Sequence, residues 1–152
     1  METLERFLSD HPFFHNFQQR HLGLIVGCAS NVRFDANQLI FREGEKANTF
    51  YLIRRGKVAL QVVSERRGPI TVLTLGEGEI LGWSWLAPPY QWRFTARALQ
   101  PTQVFAFDGE CLRIKAEEDH DLGYELLKRF VGVIAGRLEA TRLQIINVYQ
   151  DR

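Results

Sequence analysis

The sequence lacks two features that would mark a nucleic-acid or membrane surface: an excess of charge of one sign and a long apolar run. Its 19 Lys and Arg residues nearly balance its 18 Asp and Glu residues, and no basic block occurs. No apolar stretch reaches the roughly 18 residues of a membrane-spanning helix. The acidic, amphipathic start METLERFLSD is unlike a signal peptide. We therefore expect neither direct DNA binding nor contact with a membrane.

Cysteine and histidine are also scarce. Cys28 and Cys111 lie far apart without a recognisable pairing pattern, which favours a reducing cytoplasm as the location. The four histidines are His11, His15, His21 and His120. None of them lies in the strand-rich segment, where metal enzymes built on small barrels carry closely spaced His ligands. Because Gly-x-Ser-x-Gly, P-loop and HExxH motifs are missing as well, we predict no catalytic residues, no metal and no enzymatic activity.

Periodicity divides residues 1–152 into three zones of one domain. We predict N-terminal helices in residues 1–30, a β-barrel in 31–109 and C-terminal helices in 110–152. The strand segments, rich in Val, Ile, Thr and aromatic residues, are QLIF, TFYLIRRG, KVALQVV, PITVLTL, EILG, WRFTARAL and TQVFAF. Glycine-bearing turns separate them, and this spacing predicts a sandwich or small barrel with Greek-key connections. In the first zone, Pro12 suits the first turn of a second helix.

The last helix carries a heptad pattern of apolar residues. Successive members are alternately three and four positions apart: Tyr124, Leu127, Val131, Ile134, Leu138, Thr141, Ile145 and Val148. We call these residues the seam. A second stripe, of Leu126, Phe130 and Val133, occupies the N-terminal half of the helix. One stripe can cover the barrel, so we predict that the other forms a parallel homodimer through residues 122–148. The alternative is one broad face packed on its own domain.

Several segments together resemble one family. They are HPFF, FREGEKANTFYLIRRGKVAL at 41–60, LGEGEILG at 75–82, TARAL at 95–99 and the long final helix. In this order they are similar to the cyclic nucleotide-binding domain, above all to catabolite-activator-type bacterial regulators. The resemblance implies a mainly β fold with flanking α: an eight-stranded jelly roll with N-terminal helices and a long C-terminal dimerisation helix. It also implies a regulatory or sensor role in signal transduction.

The resemblance also shows what this chain lacks. Family regulators continue after the long helix into a winged helix-turn-helix, whereas this sequence ends at NVYQDR, so we expect a stand-alone domain that does not bind DNA. The family's phosphate-binding cassette has a glutamate for the ribose and an arginine for the cyclic phosphate. Aligned on LGWSWL and TARAL, this sequence keeps Gly82 but has Trp83 in place of the glutamate and Trp92 in place of the arginine. We therefore expect that cyclic AMP and cyclic GMP do not bind in the usual way.

Three hypotheses remain for this degenerate cassette. The tryptophans fill the old pocket, and the protein is a structural or protein-interaction dimer without ligand; or an aromatic wall binds an apolar or planar molecule. The third is ordinary nucleotide binding with Arg93 as the anion ligand and Thr141 at the position of the family's purine-contacting hydroxyl. The candidate pocket residues are Gly82, Trp83, Ser84, Trp85, Tyr90, Trp92, Arg93, Thr95 and Thr141. No cofactor is required by any of these hypotheses, although a protein partner fits the first.

Strand alternation predicts where these side chains point. Trp92, Phe94, Ala96 and Ala98 should face the barrel interior, whereas Arg93, Thr95 and Arg97 should face outward. We expect Trp92 to stack near Trp83 or Trp85. The turn at residues 87–90, stiffened by two prolines, should form a lid over them.

Overall fold

The computed structural model describes residues 2–150, with side chains described from residue 4 onward. Residue 1 and residues 151–152 of the predicted helical zones lie outside the described residues. The helices are α1 (Glu2–Asp10), α2 (Gln19–Val26), α3 (Gly109–Glu118) and α4 (His120–Gln150), with a short 3-10 helix at Ser84–Leu86. The strands are β1 (Ala29–Phe34), β2 (Leu39–Phe41), β3 (Thr49–Arg55), β4 (Val58–Ser64), β5 (Gly68–Leu75), β6 (Ile80–Leu81), β7 (Thr95–Ala98) and β8 (Thr102–Asp108).

The strands form two antiparallel sheets of four strands each, with orders β1-β8-β3-β6 and β2-β7-β4-β5. Strands distant in sequence are neighbours: Ala29 of β1 lies opposite Phe107 of β8, and Leu60 of β4 opposite Ala96 of β7. This is the jelly-roll arrangement that the period-two segments predicted, with the helices at both ends of the chain flanking it. The mainly β fold class is therefore confirmed.

The sheet β1-β8-β3-β6 has apolar side chains on both faces. Along β8, Phe105 and Phe107 pack against the helices, whereas Val104 packs inside the barrel. Two separate buried clusters result. The barrel cluster, between the sheets, includes Phe41 and Trp92. The helix cluster, outside the first sheet, includes Phe14, Phe50, Trp85, Leu126 and Phe130.

The segment around Pro12 differs from the prediction. Residues 11–16 form turns rather than the first turn of a helix, and α2 begins only at Gln19. The main-chain N–H of Phe14 donates to the carbonyl of His11 at 3.0 Å, and Asn16 has a φ of 66°. Phe13 and Phe14 are consecutive and both buried. A regular helix would turn consecutive side chains about 100° apart, so an irregular turn buries this pair more readily.

The two cysteines also depart from expectation, because Cys28 and Cys111 form a disulfide with a Cα–Cα distance of 5.9 Å. Cys28 precedes β1, and its carbonyl accepts the N–H of Asp108 at 2.8 Å. Cys111 lies in the first turn of α3, where its N–H donates to the Asp108 carboxylate at 3.1 Å. The pairing of β1 with β8 brings these segments together, and sequence spacing does not show such pairing. The cytoplasmic location stays a prediction. Across residues 2–150, none of the helices combines the length and the apolar character needed to cross a membrane.

The apolar packing of helix α4 on the domain comes from one side of its N-terminal half. Leu122, Leu126 and Phe130 are buried in the helix cluster, and Val133 packs against it. The seam lies elsewhere on the helix: Leu138 is 70% exposed, Tyr124 and Val131 are also exposed, and Ile134 is half-buried. The alternative of one broad face packed on the domain is therefore wrong within this chain. The homodimer stays a prediction.

Candidate functional site

Trp92 occupies the interior of the barrel at the cassette. Its side chain is 5% exposed, and its ring stacks on Phe41 with a centroid distance of 3.6 Å and an interplanar angle of 7°. Strand β7 begins only at Thr95, later than the predicted WRFTARAL strand. The main chain of Trp92 is bonded instead to the turn at residues 44–45. Its N–H donates to the main-chain carbonyl of Glu45 at 2.9 Å, and its carbonyl accepts the N–H of Gly44 at 2.8 Å.

Gly82 makes room for this indole. A Cβ atom at residue 82 would lie 2.8 Å from the Trp92 ring, a distance that real Cβ atoms do not tolerate. Residue 82 also has a φ of 96°, which disfavours any residue with a side chain. The glycine that the cassette keeps therefore serves here to accommodate a tryptophan.

Little space remains beside Trp92. The cavity lined by Phe41, Gly82, Trp83, Arg93 and their neighbours has a volume of about 20 Å³. A site for a small organic ligand usually measures about 300–1,000 Å³, and a single water needs at least about 10–15 Å³. The cavity is therefore of the size of one water molecule, not of a nucleotide.

The expected stack of Trp92 on another tryptophan is wrong, because its ring stacks on Phe41 while Trp83 and Trp85 pack against the helix cluster. Trp85 belongs to the helix cluster, where its ring stacks on Phe50 at 5.3 Å and meets Phe130 edge-on at 5.5 Å. Trp83 is half-buried against the same cluster. The 3-10 helix after Gly82 directs Trp83 and Trp85 toward the helices, while Trp92 returns to the barrel interior.

The polar candidates are dispersed as well. Arg93 is exposed, as predicted, although it precedes β7, and together with Ser84 it lines the small cavity. Strand alternation predicts that Thr95 faces out of the barrel, but its side chain is buried and only 6% exposed. The turn at residues 42–45 folds over it, and its Oγ1 accepts the N–H of Glu43 at 3.1 Å. The Thr141 hydroxyl donates to the carbonyl of Arg137 at 2.9 Å, a bond within α4.

Tyr90 belongs to the lid but is directed toward α3 rather than over Trp92. The guanidinium carbon of Arg113 lies 4.3 Å from the centroid of the Tyr90 ring. Arg113 also donates to the carbonyl of Trp85 at 2.5 Å and to the side-chain oxygen of Asn48 at 3.0 Å. The lid and the 3-10 helix are thus attached to α3 through one arginine, which sequence reasoning did not identify.

Arg137 is a second residue that sequence reasoning missed. Its Nη2 donates to the carbonyl of Ile80, and its guanidinium carbon lies 5.9 Å from the centroid of the Trp83 ring. Its buried Nη1 has no partner within the described chain. Burial lowers the pKa of Arg137, and the carboxylate of Glu79 acts in the opposite direction. In the sequence, the only sign of this role is the position of Arg137 one helical turn before Thr141.

The structure thus brings Gly82, Trp83, Ser84, Trp92 and Arg93 together around one small cavity, and it places the other candidates elsewhere. Trp85 and Tyr90 line a different groove, beside α3 and α4. Among the described residues, no group of three or more His, Cys, Asp or Glu side chains could hold a metal ion.

Comparison with known proteins identifies the family. The model of the cyclic nucleotide-binding domain matches residues 31–119, which contain strands β2 to β8 and most of β1. The chain therefore belongs to the cyclic nucleotide-binding domain family. Its fold is that of the regulators in this family.

Individual relatives agree with this assignment. The chain is 30% identical over 82 residues to the human cGMP-dependent protein kinase 2, a match that covers 53% of this chain but only 11% of the kinase. The structure of a candidate cyclic nucleotide-binding protein from Geobacter metallireducens is 29% identical, with a TM-score of 0.78 and coverage of 90% of this chain and 96% of that one. The catabolite activator protein of Thermus thermophilus shares the fold at 21% identity, with a TM-score of 0.70 over 91% of this chain and 63% of that one.

Proposed function

We propose that this chain is a non-enzymatic regulatory module of the cyclic nucleotide-binding family whose barrel does not bind cyclic AMP or cyclic GMP in the usual way. The observation that carries the proposal is the packing of Trp92 on Phe41, which leaves only about 20 Å³ at the cassette. A nucleotide could enter only if the indole left the barrel and exposed its apolar surface to water.

The charge at the cassette supports the same conclusion. A cyclic phosphate is an anion, and burying it requires charge-assisted hydrogen bonds. In the alignment, Trp92 stands in place of the arginine that would supply them, and Trp83 in place of the glutamate that would hold the ribose. Each hydrogen bond to a charged group contributes about 1.5–3 kcal/mol. The loss of the arginine and the glutamate therefore removes several kcal/mol of binding free energy.

The module acts as a homodimer through α4 in this proposal. The helix has 31 residues, which corresponds to a length of about 46 Å. Beyond Leu138 nearly every residue is exposed, so the rest of the domain hardly stabilises the C-terminal half. Because isolated helical segments of this length are only marginally stable in water, a second helix along the exposed seam would stabilise it.

Isothermal titration with cyclic AMP and cyclic GMP tests the proposal. We expect no saturable binding to the unmodified protein up to about 1 mM nucleotide, equivalent to less than about 4 kcal/mol of binding free energy. Trp92→Arg alone should not restore binding, because the ribose-binding carboxylate is still missing. It should also lower the free energy of unfolding by a few kcal/mol, about the usual effect of a lost aromatic or an unpaired buried charge.

A micromolar dissociation constant for either nucleotide would contradict the proposal and favour a second candidate, ordinary nucleotide binding with Arg93 and Thr141. The observations that favour this second candidate are the exposed Arg93 at the rim of the cavity and the unpaired Nη1 of Arg137 near Trp83. Arg93→Ala would then abolish the binding. If neither nucleotides nor other small molecules bind, a ligand-free interaction dimer is the remaining hypothesis.

A further inference from the structure

A groove outside the barrel is large enough for a small molecule. It lies between the 3-10 helix with the lid, α3 and the start of α4, and its volume is about 420 Å³. Sites for small ligands usually measure about 300–1,000 Å³. This groove belongs to the helix side of the molecule, so its use does not depend on whether the barrel binds a nucleotide.

Aromatic and apolar side chains form much of the groove. The buried indole of Trp85 and the half-buried ring of Tyr90 contribute from the lid side. Tyr124 and Leu127 contribute from α4; they are exposed in the single chain and are the first two residues of the seam, so the groove adjoins the proposed dimer interface. Helices α3 and α4 approach closely at Ala116, since a Cβ atom on Gly123 would lie 3.2 Å from the Ala116 Cβ. Such walls favour a flat, apolar molecule over a hydrated polar one.

Arg113 supplies a positive charge to the groove. It is half-buried, and none of the ion pairs among residues 4–150 includes it. Its bonds to Trp85 and Asn48 use one N–H of each terminal nitrogen, so further N–H groups of the guanidinium are free to donate. Glu117 and His120 also line the groove but are exposed, and Glu117 is not within ion-pair distance of Arg113. The partly desolvated cation therefore lacks an anion.

We propose that this groove binds a planar aromatic molecule that carries a carboxylate, with its ring beside Trp85 and Tyr90 and its carboxylate on Arg113. A guanidinium matches a carboxylate in geometry as well as in charge. Because Arg113 also attaches the lid to α3, the ligand would act on the connection between the cassette and the helices that lead to the seam.

The first test uses the unmodified protein and 2-naphthoate, with the neutral 2-naphthylmethanol as the matched probe. In 1H–15N spectra the three indole Nε1–H groups give separate cross-peaks, assigned by single Trp→Phe variants. We expect 2-naphthoate to shift the Trp85 peak and the amides of Ala116 and Gly123, with the Trp92 peak unchanged. The neutral probe should bind at least about tenfold more weakly, since it loses the charge-assisted bonds.

The second test compares two arginine variants, Arg113→Met and Arg93→Met, which remove the same charge from the groove and from the barrel rim. We expect Arg113→Met to weaken 2-naphthoate binding at least about tenfold and Arg93→Met to change it by less than about twofold. If Arg113→Met loses its amide dispersion because the lid has come loose, the comparison of the two probes on the unmodified protein decides alone.

Three results would overturn the inference. One is a shift of the Trp92 peak together with lost affinity in Arg93→Met, which would place the ligand in the barrel. Another is equal binding of the two probes. The third is the absence of saturable shifts up to about 5 mM 2-naphthoate, where a site of useful affinity would be filled. None of these results depends on the nucleotide titrations that test the proposed function.

Discussion

At the scale of single residues, the close contact between Gly82 and Trp92 lets the indole fill the barrel at the cassette. The glycine is needed for two independent reasons, a positive φ and the proximity of the indole ring. Gly44 offers a matched control, because its φ of 89° is similar but nothing lies within 4 Å of a Cβ built on it. Comparing the two glycines therefore separates backbone strain from the clash with Trp92.

We expect Gly82→Ala to lower the free energy of unfolding more than Gly44→Ala does. Gly44→Ala should cost about 1–2 kcal/mol, the strain of a left-handed conformation. Gly82→Ala should cost about 1–3 kcal/mol more, because the added methyl group would overpack the barrel against the Trp92 ring, which is stacked on Phe41. Urea unfolding of both variants measures the difference. Equal losses would mean that the indole moves aside freely, and this would also weaken the case for a closed barrel.

At the scale of secondary-structure elements, local periodicity predicted the direction of most side chains. Within β7, the burial of Ala96 and Ala98 follows from the alternation of a strand, which depends only on neighbours in sequence. Trp92 points inward and Arg93 is exposed as predicted, but both precede β7, in a segment bonded to the turn at residues 44–45. The separation of the two stripes on α4 follows in the same way from helical periodicity. Thr95 is the exception, because a turn distant in sequence covers it.

Contacts between distant segments could not be predicted in this way. Phe41 reaches Trp92 because β2 pairs with β7, and Arg113 reaches Tyr90 because α3 lies beside the lid. No local spacing encodes these pairings. The family resemblance supplied the order of the strands, but it located the tryptophans only at the cassette and not relative to one another.

Helix α4 carries the prediction about assembly. Ile134→Glu together with Leu138→Glu places two charges in the seam and should yield monomers or insoluble protein, since desolvated like charges would face each other in the dimer. The control is Leu143→Glu with Asn147→Glu, which adds the same charges at exposed positions outside the seam and should leave the dimer intact. Light scattering after size-exclusion chromatography reports the mass. A monomer of the unmodified chain at micromolar concentration would contradict the prediction.

At the scale of the whole molecule, the disulfide between Cys28 and Cys111 closes a loop that contains the entire barrel. The bond joins the end of the N-terminal helical segment to the first turn of α3, and α3 also carries Arg113. A cross-link across 83 residues limits the unfolded chain strongly. Chain-entropy arguments assign such a loop about 4.5 kcal/mol of stabilisation.

We expect the oxidised protein to be more stable toward urea than the reduced protein by up to about 4.5 kcal/mol, because only the oxidised unfolded chain is cross-linked. Cys28→Ser should be as stable without reductant as with it, and close to the reduced unmodified protein. Unfolding curves with and without dithiothreitol, paired with thiol counts by mass spectrometry after alkylation, provide the measurement. Two alkylated cysteines in protein purified and unfolded without reductant would show that the bond does not form under those conditions.

If the bond forms, reduction removes the covalent link between the N-terminal segment and α3 but leaves the pairing of β1 with β8. Fold and barrel packing should therefore persist in the reduced protein, with the Trp92 indole signal unchanged and only the unfolding midpoint lowered.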